Sequence, residues 1–212
     1  NHKNYKKKIS AIIPIKNSFD DFKNVPFKKI GKSSLIDKQL KTLKKLETIS
    51  DIIFTTSSQK VINYLSKKKD IFKNKNIYIF KKPKKFEKSI SSLQEILQFS
   101  KKEYFKNGGN CEIFIFMNLH IVRNKLDHLE SAINLLKISD FEIVFSVYKE
   151  NEPIFKFQKE RFSLLNAGRF NNLDFNSETI FKFNGSVICG YWSILNKGNM
   201  FRKKSGFVET SR

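Results

Sequence analysis

Short apolar runs alternate with segments of helical period along most of this chain, and no other feature restricts its fold as tightly. The first run, residues 9–15 (ISAIIPI), is bounded by Pro and a charged loop and reads as a buried parallel strand. Similar runs lie at 52–56, 77–80, 111–117, 142–147 and 181–191. Between them, residues 33–46 place Leu35, Ile36, Leu40, Leu43 and Leu46 on one helical face, with Ser33 or Ser34 as N-cap. Further helices are expected over 59–67, 89–105 and 125–136, the last capped by Asn124 or Asp127. Residues 67–76 read as a lysine-rich surface turn, and Asn107-Gly108-Gly109-Asn110 is the clearest turn. The pattern predicts an α/β fold with a mainly parallel sheet and helices on both faces. From 148 to 182 it gives way to short aromatic segments, expected to form a hairpin excursion.

At 212 residues the chain is expected to be one domain, 1–212, with 148–182 as an inserted arm. No apolar run is long enough to span a membrane, and no secretory apolar region follows the basic first eight residues. The lack of an initiator Met is expected of a chain trimmed from a longer protein. Cys111 and Cys189 sit in apolar runs and read as reduced core thiols of a cytoplasmic protein, and no zinc spacing occurs. The formal charge of +21 raises the question of nucleic acid. Only five of the 41 basic residues are Arg, however, and the lysines are spread along the whole chain, so no nucleic-acid partner is expected.

A cationic loop leaves the C-terminal end of the first strand, where open α/β sheets bind ligands. It carries Lys16, Asn17, Ser18, Lys23, Asn24, Lys28, Lys29 and Lys32 before the helix that opens at Ser33-Ser34. Lysines and helix N-terminal amides there suit phosphate groups.

This stretch resembles the opening of the acylneuraminate cytidylyltransferases, which activate sialic acid and related nonulosonic acids with CTP. The shared residues are Ile13-Pro14, Lys23-Asn24 and Gly31-Lys32-Ser33-Ser34-Leu35-Ile36. In place of the family's Arg-Gly-Gly-Ser-Lys phosphate cradle stands Lys16-Asn17-Ser18-Phe19-Asp20. After the second strand the family's hydroxyl cluster persists as Thr55-Thr56-Ser57-Ser58, without its acidic residues. Ser57 there is open to two readings, a nucleotide contact or, with Ser58, a helix N-cap. Lys82-Pro83 stands where the family has Arg-Pro, supplying the charge without the bidentate fork. Residues 116–123 (FMNLHIVR) stand where the family has Leu-Gln-Pro-Thr-Ser-Pro-Leu-Arg, and only Arg123 is kept. His120 in this loop is read either as a loop histidine or as a ligand contact. Phe183-Asn184-Gly185-Ser186-Val187-Ile188 matches the family's Asn-Gly strand, though Asn-Gly is also a strong hairpin signal.

The resemblance implies a Rossmann-like three-layer nucleotidyltransferase fold of the nucleotide-diphospho-sugar transferase type, with a small inserted arm. It implies transfer of CMP from CTP to a sialic-acid-like acceptor, with release of pyrophosphate. Lys16 and Lys23 are then expected as catalytic phosphate contacts, and Asn17, Ser18, Asn24 and Lys82 as further nucleotide contacts. Asn118, His120, Arg123, Phe183 and Asn184 are expected to line the acceptor pocket. The cofactor implied is Mg2+. The family's Asp-x-Asp metal pair has no counterpart, and the chain ends at Arg212 about where that pair is expected. A homodimer is implied, joined through an arm that here carries Phe155, Phe157, Phe162 and Phe170. The alternative is a relative that has lost catalysis or changed substrate and binds a sugar nucleotide or a protein partner.

Overall fold

The computed structural model describes residues 7–18, 22–72, 74–83, 86, 92–121, 126–150, 152, 154–158, 160–165, 180–196 and 199–210. Strand β1 (Ile9–Pro14) forms because its apolar run is buried from both faces, and it lies centrally in a seven-stranded sheet. The other sheet strands are β4 (Asp51–Thr56), β5 (Asn76–Lys81), β6 (Ile113–Met117), β7 (Ile143–Lys149), β10 (Phe181–Tyr191) and β11 (Ser205–Glu209). Their order is β11-β7-β10-β6-β1-β4-β5, and every pairing is parallel except the two made by β10.

Two helical layers cover the faces. Leu35, Ile36, Leu40 and Leu43 of α1 (Leu35–Lys45), Val61 and Leu65 of α2 (Gln59–Lys67), and Leu129, Ile133 and Leu136 of α4 (Leu126–Ile138) pack with Ile9, Ala11 and Ile13. On the opposite face, Leu97 and Tyr104 of α3 (Leu93–Lys106) join Ile12, Phe114, Trp192 and Leu195. Ala11 and Ile13 thus serve one layer and Ile12 between them serves the other, the period-2 signature of a strand buried on both sides. Burying each large apolar side chain of this kind stabilises the fold by about 1.5–3 kcal/mol. Helix starts follow local hydrogen bonding. Ser34 accepts from the Asp37 amide, and Ser92 and Glu95 form a reciprocal capping box on α3.

Several expectations change. Asp127 does not cap α4 but sits in its first turn, where a carboxylate still favours the helix dipole; Asn124 lies outside the described residues. Helix α3 starts at Leu93, and residues 89–91 lie outside the description. The 67–76 segment is more than a surface turn. It contains a short 3-10 turn that buries Phe72, and Lys75 Nζ donates to the carbonyls of Leu46 and Ile49 at 2.6 and 3.0 Å. Two elements were not foreseen: a tiny hairpin of β2 (Lys29–Ile30) and β3 (Ser33–Ser34), turning at Gly31 with φ +67°, and the edge strand β11. Within 148–182 the described residues do form a hairpin, β8 (Phe155–Gln158) with β9 (Arg161–Leu164), paired antiparallel outside the main sheet. Of the two readings of Asn184-Gly185, the strand holds and the hairpin turn does not. The dipeptide lies inside β10, where the register against β7 slips between Phe183 and Ile188, and Gly185 takes φ +69°.

Candidate functional site

The C-terminal ends of the parallel strands bring most of the sequence-predicted residues to one edge. Residue by residue, β1 pairs Pro14 with Thr55 of β4, β4 pairs Thr56 with Lys81 of β5, and β1 pairs Ile12 with Phe116 of β6. Carried one or two residues past the strand ends, the β1–β4–β5 register puts Lys16, Ser57 and Lys82 in one row, and His120 follows β6 on a turn beyond the last residue paired with β1. Backbone bonds hold the first part of this row, with Ile15 N donating to Thr55 O and Lys82 N to Thr56 O.

Lys82 is only 4% exposed, so the lysine expected as a nucleotide contact is built into the floor of the edge. Lys16, Asn17 and Ser18 are half-buried at the end of β1. The Asn17 side-chain amide donates to Ser18 Oγ at 3.3 Å, while its buried Oδ1 has no hydrogen-bond partner. Asn17 O accepts from Val25 N at 2.9 Å, which draws the Lys23-Asn24 loop back towards β1. Lys23 and Asn24 are exposed, Asn24 in the left-handed region at φ 53°, and its Oδ1 accepts from Lys60 Nζ on α2. Ser58, not Ser57, caps α2 by accepting from Val61 N. The capping role therefore does not occupy Ser57.

Beyond β6, Asn118 acts on its own loop. Its Oδ1 accepts from His120 N at 3.0 Å, its carbonyl accepts from Ile121 N, and its amide donates to Ser186 O of β10. His120 is thus presented on a tight turn. Burial, with the charges of Lys16 and Lys82, pushes its imidazole down to about 4. That coupling places the ring within the electrostatic reach of both lysines. Arg123 lies outside the described residues.

Asn184 performs a second kind of work. Its Oδ1 accepts from Ser146 Oγ at 2.6 Å and from Ser186 N at 3.0 Å, and its Nδ2 donates to Thr210 Oγ1 at 2.6 Å. Ser146 Oγ also accepts from Val187 N, and Thr210 is joined to Val147 O. One amide thereby fastens β10 to β7 and to the end of β11. Phe183 turns to a different neighbourhood, packing on Phe145 and Phe201 with ring centroids 5.6 and 5.8 Å apart. Ser146, Thr210 and the burial of Lys82 were missed in the sequence. A single Ser or Thr in a strand carries no signal, and a lysine in a lysine-rich stretch gives no sign that it points inward.

The edge is cationic, and its donor set does not fit a protein-held Mg2+. Lys16, Ser57, Lys82 and His120 supply no carboxylate, and Glu150 near the end of β7 is paired with Lys182 at 2.5 Å. Among the described residues no group of three or more His, Cys, Asp or Glu is placed to hold a metal ion. The chemistry offered is that of an anion receptor.

No protein-family model and no characterised protein sequence matches the chain. Solved structures do. A 4-diphosphocytidyl-2C-methyl-D-erythritol synthase from Anaerococcus prevotii superposes over 97% of this chain and 90% of its own, at 13% identity and TM-score 0.66. A CMP:2-keto-3-deoxy-manno-octonic acid synthetase complexed with CTP covers 96% and 90%, at 9% identity and TM-score 0.64. Another 4-diphosphocytidyl-2C-methyl-D-erythritol synthase covers 97% and 90%, at 9% identity and TM-score 0.67. The chain has the nucleotidyltransferase fold of these synthases. At 9–13% identity the likeness speaks to the fold, and the nucleotidyltransferase architecture that the family resemblance implied is thereby met.

Proposed function

We propose that the protein is a cytidylyltransferase that moves CMP from CTP to a hydroxyl of a sialic-acid-like sugar acid. The acceptor hydroxyl gives up its proton to solvent as its oxygen forms a bond to the α-phosphorus, the bond from that phosphorus to the bridging oxygen breaks, and pyrophosphate leaves with the electron pair. The observation that carries this reading is the row of Lys16, Ser57 and Lys82 across three strand ends, with His120 on the loop after β6. It lies at the edge where such sheets take nucleotides. Three fold neighbours are named as synthases of cytidine-containing products, and one of them is a complex with CTP.

In this reading Lys16 and Lys23 neutralise charge that develops on the phosphates, and no covalent nucleophile is needed. Asn17, Ser18, Asn24 and Lys82 contact the nucleotide, and the buried unpartnered Oδ1 of Asn17 is a ready acceptor for a donor on the ligand. Asn118, His120, Arg123 and Asn184 line the acceptor side, whereas Phe183 packs away from it on Phe145 and Phe201. Asn184 does so while holding the β10 bulge. Mg2+ is proposed to belong to the nucleotide's phosphates, since the described residues offer it no carboxylate set. Exposed Phe155, Phe157 and Phe162 on the β8–β9 hairpin suit a homodimer contact; Phe170 lies outside the described residues. The unbonded buried cysteines fit a reducing cytoplasm, and no described helix is long and apolar enough to cross a membrane.

The altered phosphate loop, Lys16-Asn17-Ser18, favours a second reading: a relative that binds a sugar nucleotide without turning it over. Pyrophosphate release decides between them. With CTP, Mg2+ and a panel of sialic, pseudaminic and legionaminic acids, we expect release with at least one acid. CTP binding without release from any acid supports the second reading.

A further inference from the structure

We propose that the outer face of α1 and α2 is a membrane-docking surface, which seats the protein on the anionic headgroups of a phospholipid bilayer. The inference does not depend on the proposed reaction.

Along the sequence the lysines are spread from end to end, but the fold gathers them. Helices α1 and α2 together carry six lysines and one carboxylate, whereas α3 and α4 carry four lysines and four carboxylates. One helix pair is therefore strongly cationic and the other balanced. On α1, Lys41 is followed three and four residues on by Lys44 and Lys45, and all three are exposed. On α2, exposed Lys60 and Lys67 flank Tyr64 at the same spacings. The two stripes are neighbours, because the Tyr64 hydroxyl donates to Asp37 Oδ1 across the helix pair. Asp37 is the one carboxylate on these two helices, and it is already engaged: Ser34 Oγ also donates to it, at 2.6 Å.

Neighbouring loops extend the face. Lys68 lies over the Tyr64 ring at 5.7 Å and Lys60 over the Phe27 ring at 4.8 Å, and the two rings meet edge to face at 5.3 Å. Lys28 lies over the Phe22 ring at 4.5 Å. Aromatic faces hold ammonium groups in place without neutralising them.

Three features favour a bilayer over nucleic acid. The cations of α1 and α2 are all lysines, point charges that suit a fluid layer of headgroups. Arg, which grips phosphates in a fixed bidentate geometry, is absent from both helices. At the margin of the face, Phe22 and Ile30 are 60% and 37% exposed beside Lys28 and Lys29, apolar side chains placed to enter the headgroup boundary. Phe27 and Tyr64, by contrast, are half-buried and covered by lysines, so they offer bases no free face for stacking. Each lysine close to an anionic bilayer strengthens attachment roughly fivefold, and salt screens the attraction.

The experiment is co-sedimentation of the full chain with vesicles. Vesicles of equal parts phosphatidylglycerol and phosphatidylcholine are compared with phosphatidylcholine alone, at about 0.1 M and about 1 M salt. We expect binding to the anionic vesicles at the lower salt, none to phosphatidylcholine, and release at the higher salt. Lys41→Glu/Lys44→Glu/Lys67→Glu should weaken binding more than about tenfold. Lys102→Glu/Lys106→Glu/Lys137→Glu has the same net charge but alters α3 and α4, and should stay within about threefold of the parent. Should the first variant not fold, Lys41→Gln/Lys44→Gln/Lys67→Gln replaces it, with a smaller loss in the same direction. No binding to the anionic vesicles, or equal losses in the two triple variants, overturns the inference. So does duplex DNA that strips the protein from the vesicles at equal phosphate concentration, which would make the face a nucleic-acid surface.

Discussion

At the scale of single residues, the candidate site joins charge to burial. Lys82 is buried, and an ammonium in such a place is a cost to folding unless its surroundings offset it. Lys82→Met is expected to weaken CTP binding more than tenfold, about 1.4 kcal/mol. Lys28→Ala is the control, since that lysine lies over the Phe22 ring rather than at the strand ends. Calorimetric titration of both variants checks the contrast, and equal losses would take Lys82 out of the site. His120 makes the complementary prediction for stability. Its pKa is depressed in the folded chain by burial and by Lys16 and Lys82. The unfolded chain thus binds more protons as pH falls from about 6.5 to about 4, and stability falls over that window. Melting temperatures measured across it should drop less in His120→Asn than in the parent protein.

Among the elements, the strands and helices with a strong period were legible. Residues 59–67 and 181–191 were expected and found as α2 and β10, because each has an apolar pattern of one clear kind. Strand β11 was not legible. Its sequence, SGFVE, shows only two apolar side chains, and Phe207 remains half-exposed at the sheet edge. It exists because β7 offers a free parallel edge and because Gly206 lets the ring of Phe141 lie against its backbone. A Cβ at Gly206 would come within 2.4 Å of that ring. The Asn184-Gly185 bulge lies in a strand that was expected, although the dipeptide alone also allowed a hairpin turn. A dipeptide reports the left-handed conformation it needs, not whether a strand continues beyond it. Truncating Asn184 removes one bond each from Ser146, the Ser186 amide and Thr210. Asn184→Ala should cost about 1–3 kcal/mol in chemical denaturation, and a cost below a few tenths would show that the network does not hold the bulge.

For the molecule as a whole, the fold was readable because its order of strands and helices admits few topologies. The candidate site was readable in part. Positions after β1, β5 and β6 could be nominated one by one, but their meeting at one sheet edge depends on pairings between strands as far apart in sequence as β1 and β6. The arm belongs to this scale too. Phe157 and Phe162 are 62% and 74% exposed and stack on each other at 4.8 Å, an apolar face that a second copy can cover. Phe157→Ser/Phe162→Ser should shift the protein to monomer in sedimentation velocity, and an unchanged species would place the subunit contact elsewhere. The central claim is that a cytidine triphosphate lies across the strand ends, held by lysines of the first crossover and of β5. Calorimetric titration of the four nucleoside triphosphates with Mg2+ tests it most directly. The account predicts tightest binding for CTP, lost in Lys16→Gln/Lys82→Met; equal affinity for all four, or CTP binding that survives both substitutions, would contradict it.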